Sequence, residues 1–133
     1  MPLIGRISAD TGNRLTLDKI DKALRKEANS LNVELKIYQF YDEAHIIKAV
    51  RANRNSCDGL LINPGPLALT CHSLKELLSI VQMPAVEICV KDLPFSNESF
   101  SKSVLKEIVA SRVYDFGKEV YAKGLNILCG HLG

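Results

Sequence analysis

A run of aliphatic residues that stops at Asn-Pro-Gly is the feature that most constrains how this chain can fold. Residues 60–62 read Leu-Leu-Ile, and they lead directly into Asn63 and a Pro-Gly step. Short apolar runs of this kind are typical of strands that are buried on both faces of a parallel sheet. Ligands of open α/β sheets bind at the carboxyl ends of such strands. We therefore predict a strand over 59–63 and a ligand crevice at its end.

The same pattern recurs about twenty residues later. Residues 85–90 read Ala-Val-Glu-Ile-Cys-Val after Pro84, and they end in the polar step Lys91-Asp92. If the two strands are neighbours in one parallel sheet, their polar ends open into a single crevice. Asn63, Cys89 and Lys91 then become candidates for contact with a ligand.

Strands and helices are predicted to alternate along most of the chain. Helical spacing of apolar residues follows Thr16, a candidate N-cap, and ends at Asn32. The remaining predicted elements are a strand near a sheet edge over 33–40, a helix over 43–53, the strand 59–63, a helix over 73–81, the strand 85–90, and a long segment over 102–123 with room for a strand within 109–114. This order predicts a single α/β domain over 1–133 with a parallel sheet covered on both faces. The first strand has only residues 3–7 as a candidate, which are few and interrupted by glycine.

Composition excludes several classes of function. The chain has 133 residues, 24% of them charged, and a net charge of +2 without a basic cluster, so we predict no nucleic-acid partner. It has no signal-like or membrane-spanning apolar run, which predicts a cytoplasmic protein with no membrane partner. Its four cysteines lack Cys-x-x-Cys spacing, so free thiols are expected, with no metal site and no cofactor.

Several segments between Leu15 and Tyr121 occur in a distinctive order and spacing. They are Leu-Thr-Leu-Asp-Lys-Ile at 15–20, Gln39, Glu43 with Ile-Ile at 46–47, Asp-Gly-Leu-Leu-Ile-Asn-Pro-Gly at 58–65, Leu-Lys-Glu-Leu-Leu at 74–78, Pro-Ala-Val-Glu at 84–87, and Phe-Gly at 116–117 with Tyr121. Over these segments the chain resembles type II 3-dehydroquinate dehydratase. The resemblance implies a flavodoxin-like three-layer sandwich whose first strand is short or missing. It also implies a homo-oligomer, a trimer or a dodecamer built from trimers.

The family's reaction is an anti elimination of water. A tyrosine, activated by an arginine on a loop, removes a proton to give an enolate, and a histidine then protonates the departing hydroxyl group. An asparagine holds an ordered water at the enolate, and backbone N–H groups after the fourth strand bind the substrate carboxylate. An enolate is costly to form unless such donors are already in place.

Most of these roles fall on other residue types in this chain. The positions of the activating arginine, the tyrosine base and their neighbours correspond to Ile7, Ala9, Gly12 and Asn13, with Arg6 one position away from the arginine. The family's Gly-Pro-Asn motif has no counterpart either. The resemblance therefore predicts that the base and its activating arginine are lost.

The second half of the site is also altered. A substrate-binding histidine is replaced by Leu69, the general-acid histidine by Cys89, and a pocket-closing arginine by Ser96. The retained residues are Asn63, Thr70 and Glu87, while Glu76 keeps an acidic character. The predicted catalytic residues are Cys89 and Glu87, and the predicted ligand-binding residues are Asn63, Thr70, Val90 and Lys91.

Each of these residues also has a purely structural explanation. Asn63 before Pro-Gly is a good turn former, so ligand binding and a turn role are both open. Glu87 in an apolar strand requires a buried partner, which favours a structural hydrogen bond over catalysis. A strand cysteine such as Cys89 is usually core filler, although a nearby cation makes a thiol reactive. Lys91 at a strand end is most often solvated.

The sequence thus predicts a dehydroquinase-like protein without normal dehydratase activity. In that prediction it acts as an oligomeric, non-catalytic homologue that binds a small carboxylate or has a structural role. The alternative is a lyase or other enzyme of altered chemistry in a specialised biosynthetic pathway that uses Cys89 or Lys91. Fold alone does not decide between these functions.

Overall fold

The structure is a computed structural model that describes residues 1–9 and 14–132. Strands and helices alternate as predicted. The elements are β1 (Leu3–Ser8), α1 (Arg14–Leu31), β2 (Glu34–Gln39), α2 (Glu43–Asn53), β3 (Gly59–Asn63), a 3₁₀ turn (Gly65–Leu69), α3 (His72–Ile80), β4 (Ala85–Val90), α4 (Ser96–Ser101), β5 (Ser111–Asp115) and α5 (Gly117–His131). No helix among the described residues is both long enough and apolar enough to span a membrane.

The sheet has five parallel strands in the order β2-β1-β3-β4-β5. This is the flavodoxin-like strand order, and it confirms the predicted α/β fold class. β3 and β4 are neighbours, as the crevice prediction requires. β2 lies at an edge, which explains why its sequence alternates while that of β3 is continuously apolar.

The first strand, predicted to be short or missing, is complete in the structure. β1 has six residues, as do β2 and β4, and pairs along its length with β2 on one side and with β3 on the other. Ile4 and Ile7 are buried in the core on opposite faces. The sequence pattern was weak because Gly5 and Arg6 interrupt the apolar run between them.

The start of α1 and one short helix differ from the sequence prediction, whereas α1 ends before Asn32 as predicted. α1 begins at Arg14, so Thr16 lies within the helix and is not its N-cap. It ends at Leu31, and Asn32 follows with a left-handed φ of 58°, a conformation that asparagine tolerates well after a helix. The six-residue helix α4 was not predicted, because Ser96–Ser101 has no periodic apolar pattern.

Helices cover both faces of the sheet and create two core clusters. α1 and α5 pack together on one face, where Leu24, Leu125 and Leu128 are fully or almost fully buried. α2 and α3 pack on the other face around Ile46 and Leu74. α5 approaches the sheet so closely at Gly124 that an added Cβ would lie 2.9 Å from Leu61 Cδ1. This close approach is to side chains of β3 and β4, the strands predicted to end at the crevice.

Candidate active site

A crevice of about 190 Å³ opens at the carboxyl ends of β3 and β4. It brings together the polar ends of both strands, as predicted. Its lining consists of Asn63, Gly65, Pro66, Cys89, Val90, Leu93, Pro94, Phe95, Ser96 and Ser99. Three of the six predicted site residues, Asn63, Cys89 and Val90, therefore lie at one place.

Asn63 is fixed by hydrogen bonds at both ends of its amide. Its Nδ2 donates to the hydroxyl of Tyr121 at 2.9 Å, and its Oδ1 accepts from the Gly65 N–H at 3.0 Å. The Tyr121 hydroxyl donates in turn to Ser8 Oγ at 3.3 Å. Asn63 thus closes the turn after β3, where Gly65 has a φ of 54°, and also presents a polar edge to the crevice. This position of Asn63 is compatible both with a turn-forming role and with ligand binding, the two roles that the sequence left open.

A buried arginine lies behind this network. Arg6, only 1% exposed, forms a 2.6 Å ion pair with Asp21 of α1. Its guanidinium carbon lies 5.7 Å from the centre of the Tyr121 ring, and its Nε has no hydrogen-bond partner among the described residues. Arg6 does not line the crevice. Its observed contacts are therefore with α1 and α5, and no contact within the described chain places it in the role of the family's activating arginine.

Glu87 lies two residues before Cys89 on β4, below the crevice. It is 1% exposed, and its carboxylate accepts from Arg112 Nε at 2.7 Å and from the Ser103 hydroxyl. Arg112 also donates to the backbone carbonyl of Phe100, and its guanidinium carbon lies 3.9 Å from the Phe100 ring centre. Glu87 thereby joins β4 to β5 and to the segment after α4. Its catalytic role stays a prediction.

Cys89 lines the crevice near the end of β4. Its Sγ lies 3.4 Å from the backbone carbonyl of Ser96, to which it donates. The side chain of Ser96 donates to the Lys91 carbonyl at 3.2 Å and shares a 3.1 Å hydrogen bond with the Tyr114 hydroxyl. The thiol is therefore held at the point where β4 meets the loop that leads into α4.

Two predicted ligand-binding residues lie outside the crevice lining. Lys91 is exposed, with Nζ 5.7 Å from the Tyr114 ring centre and 5.4 Å from that of Phe116. Its backbone N–H donates to the Asp115 carbonyl at 2.8 Å, so the sheet uses this donor. Thr70 is exposed at the end of the 3₁₀ turn. Ligand contact by Lys91 or Thr70 stays a prediction. Gly12 and Asn13, at the positions of the family's tyrosine base and the residue that follows it, lie outside the described residues.

The family model for class II dehydroquinases matches residues 1–129. The chain belongs to this family. A 3-dehydroquinate dehydratase of Gloeobacter violaceus is 32% identical over 129 residues, which cover 96% of this chain and 80% of the relative. One of Proteus mirabilis is 31% identical over 131 residues, covering 98% of this chain and 88% of the relative.

Solved structures agree on the fold of this dehydroquinase-family chain. A type II dehydroquinase from Butyrivibrio crossotus superposes with a TM-score of 0.84 at 20% identity, covering 96% of this chain and 97% of that one. A 3-dehydroquinate dehydratase-like protein from Bifidobacterium longum gives a TM-score of 0.81 at 17% identity, covering 100% of this chain and 99% of that one. At these identities the likeness establishes the fold alone.

The relatives contradict the function expected from the sequence. We predicted a homologue without normal dehydratase activity, or else a lyase of altered chemistry that uses Cys89 or Lys91. Relatives with 28–32% identity over nearly the whole chain are named 3-dehydroquinate dehydratase, so that prediction is wrong. Its weakness was that it inferred lost activity from replaced residues alone.

Sequence reasoning missed three residues that shape this dehydroquinase-family site. Tyr121 was used only as one residue of the family resemblance, without a role in the site, and Arg112 and Ser103 were not considered. A charged residue in a strand pattern was the available signal for Arg112, because a buried charge requires a partner and Glu87 required one too. Tyr121 had no such signal, since its partner Asn63 is 58 residues away.

The thiols of this chain should differ in reactivity. Burial raises the pKa of Cys71 to about 12, and the nearby Glu43 carboxylate adds to this effect. Cys71 is 1% exposed, whereas Cys129 and Cys89 are partly exposed. Because the thiolate is the reactive form, we expect iodoacetamide at about pH 8 to label Cys129 and Cys89 well before Cys71 in the native protein. Peptide mass spectrometry measures the order, with the urea-unfolded chain as control. Equal labelling of Cys71 and Cys129 in the native protein would contradict it.

Proposed function

We propose that this chain is a 3-dehydroquinate dehydratase, which eliminates water from 3-dehydroquinate to form a conjugated enone. The observation that supports this most strongly is the family match over residues 1–129, together with relatives of that name at 31–32% identity. The position of the crevice agrees with it. Ligands of this sheet architecture bind at the carboxyl ends of the strands, where Asn63 and Cys89 lie.

We also propose that the reaction is performed with an altered set of residues. Cys89 takes the position of the histidine that protonates the departing hydroxyl group, and it lines the crevice. In this step the enolate collapses to form the ring double bond, the carbon–oxygen bond breaks with its electron pair on the oxygen, the thiol proton moves to that oxygen, and water departs. The thiolate then regains a proton from solvent. A general acid must carry its proton before the step, and a thiol in its S–H form meets this requirement.

Two roles remain. Asn63, at the end of β3, stabilises the enolate, and the backbone around Val90 binds the substrate carboxylate. The amide of Asn63, held by Tyr121 and Gly65, provides a fixed polar edge where negative charge develops on the substrate. Fixed donors stabilise such charge without reorganising during the reaction. The family's position for the group that takes the ring proton is Gly12, which has no side chain. Proton removal in this chain therefore requires another group.

A direct assay tests the proposed function. The purified protein is mixed with 3-dehydroquinate, and the appearance of the conjugated enone is followed by its ultraviolet absorbance. We expect turnover that rises in proportion to protein concentration and saturates with substrate. Expression in a host that lacks its own dehydroquinase removes contaminating activity, and heat-denatured protein is the control. Absence of turnover above that control would refute the proposal.

Assembly and location stay predictions. We propose a homo-oligomer, a trimer or a multiple of trimers, on the basis of the family resemblance, and a cytoplasmic location as expected from the sequence. Exposed apolar side chains such as Tyr41 and Phe116 provide surface for contacts between copies.

A further inference from the structure

We infer that Phe95 forms an aromatic wall at the mouth of the crevice and determines how tightly the cyclic substrate binds. This inference rests on the proposed function, because it names a specificity residue for that same site. Phe95 lines the crevice together with Leu93 and Pro94, yet it is 82% exposed. It is the most exposed large hydrophobic residue among those that the structure describes.

The backbone at Phe95 is also unusual. Its φ of 61° and ψ of 10° place it in the left-handed region, which costs energy for any residue with a Cβ. In the described chain, Asn32 is the other non-glycine residue with a positive φ, and asparagine tolerates this conformation. A glycine or asparagine would satisfy the turn at Phe95 at a lower cost. Strain of this kind persists where the surroundings impose it, and it is concentrated at ligand-binding sites.

The surroundings that impose it are centred on the next residue. Ser96 is 8% exposed, and its backbone N–H donates to the Leu93 carbonyl at 3.3 Å while its carbonyl accepts from Cys89 Sγ at 3.4 Å. Its hydroxyl contacts the Lys91 carbonyl and the Tyr114 hydroxyl. These contacts of Ser96 fix the neighbouring backbone of Phe95 at the crevice, and the Phe95 side chain stays exposed there. The residue that fixes this backbone is the same one that contacts the Cys89 thiol.

The ring of Phe95 offers an apolar face to a ligand in the crevice. A six-membered carbocycle with a carboxylate has C–H groups that can pack on this face, while its polar groups reach Asn63 and the strand ends. Covering an exposed aromatic ring with ligand removes apolar area from water on both partners. Since the ring contacts substrate without touching the reacting atoms, the contact should lower KM with little effect on kcat.

Steady-state kinetics of a small set of variants test this inference. Phe95→Ala and Phe95→Asn remove the ring, and asparagine tolerates the left-handed backbone, so comparing the two separates ring loss from strain. We expect both to raise KM by about fivefold to tenfold with kcat within about threefold of wild type. Phe95→Tyr keeps the ring and should keep KM within about twofold of wild type. The matched control is Ile80→Ala, which removes an exposed apolar side chain at the end of α3 away from the crevice.

The outcomes separate failure of this inference from failure of the proposed function. If wild type turns over and Phe95→Ala leaves KM within about twofold, the inference is wrong. A change in oligomeric mass of Phe95→Ala without a change in KM also overturns it, because the ring then contacts a second copy. If wild type shows no turnover, the proposed function fails. Calorimetric titration with shikimate then tests the inference separately. If wild type and Phe95→Tyr bind shikimate and Phe95→Ala does not, the aromatic wall is supported. Any other pattern overturns it.

Discussion

Replacing Cys89 with alanine is expected to lower kcat by about a hundredfold to ten-thousandfold, with KM nearly unchanged. Removal of a general acid typically costs this much, because the leaving hydroxyl group must then depart without a proton donor. The thiol is one of two partly exposed cysteines, and it is the one that lines the crevice. The loss should appear in kcat because protonation of the leaving group occurs in the transition state and contributes little to substrate binding.

Two further variants make the Cys89 prediction specific. Cys129→Ala removes the other partly exposed thiol, which lies on α5 away from the crevice, and should leave kcat within about twofold of wild type. Cys89→His restores the residue type that the family resemblance places at this position, and we expect its kcat to exceed that of Cys89→Ala by about tenfold or more. Steady-state rates of enone formation measure all three. If Cys89→Ala retains wild-type kcat, Cys89 is not the proton donor.

Much of the fold could be predicted from the sequence because its strongest elements have local signals. β3 and β4 have the predicted bounds, since apolar runs with abrupt polar ends define both the strand and its end. α2 also has the predicted bounds, with Asp42 as N-cap accepting from the His45 N–H. β1 was underestimated because its apolar run is interrupted, and its stability comes from pairing with two distant strands.

The site could be predicted only to the extent that it depends on strand ends. Asn63 and Cys89 meet because parallel neighbours end at one edge, which is a rule of topology. The partner of Asn63 on α5 could not be predicted, because a contact over 58 residues leaves no local pattern. Activity was misjudged for a different reason. Residue replacement at known positions does not show what other groups in the same crevice can do.

Replacing Glu87 with alanine is expected to destabilise the fold by about 3 kcal/mol. Breaking a buried ion pair by removing one partner costs about 3–5 kcal/mol, because the remaining charge loses its compensation. The lower end applies here, since the Arg112 side chain is 21% exposed and keeps some access to water. Glu87→Gln preserves the shape and one acceptor oxygen for Arg112, so a smaller loss of about 1–2 kcal/mol is expected. Urea denaturation followed by circular dichroism measures both values.

A double-mutant cycle shows whether this loss comes from the pair itself. If the cost of Glu87→Ala is mainly an uncompensated Arg112, then the double variant Glu87→Ala, Arg112→Ala should be less destabilised than the sum of the two single variants. Glu119→Ala is the matched control: Glu119 lies in an exposed ion pair with Lys123 at 3.9 Å on α5, and losing such a pair should cost only about 0.5 kcal/mol. Strict additivity in the cycle, or a Glu87→Ala protein within about 1 kcal/mol of wild type, would show that Glu87 does not hold β4 to β5.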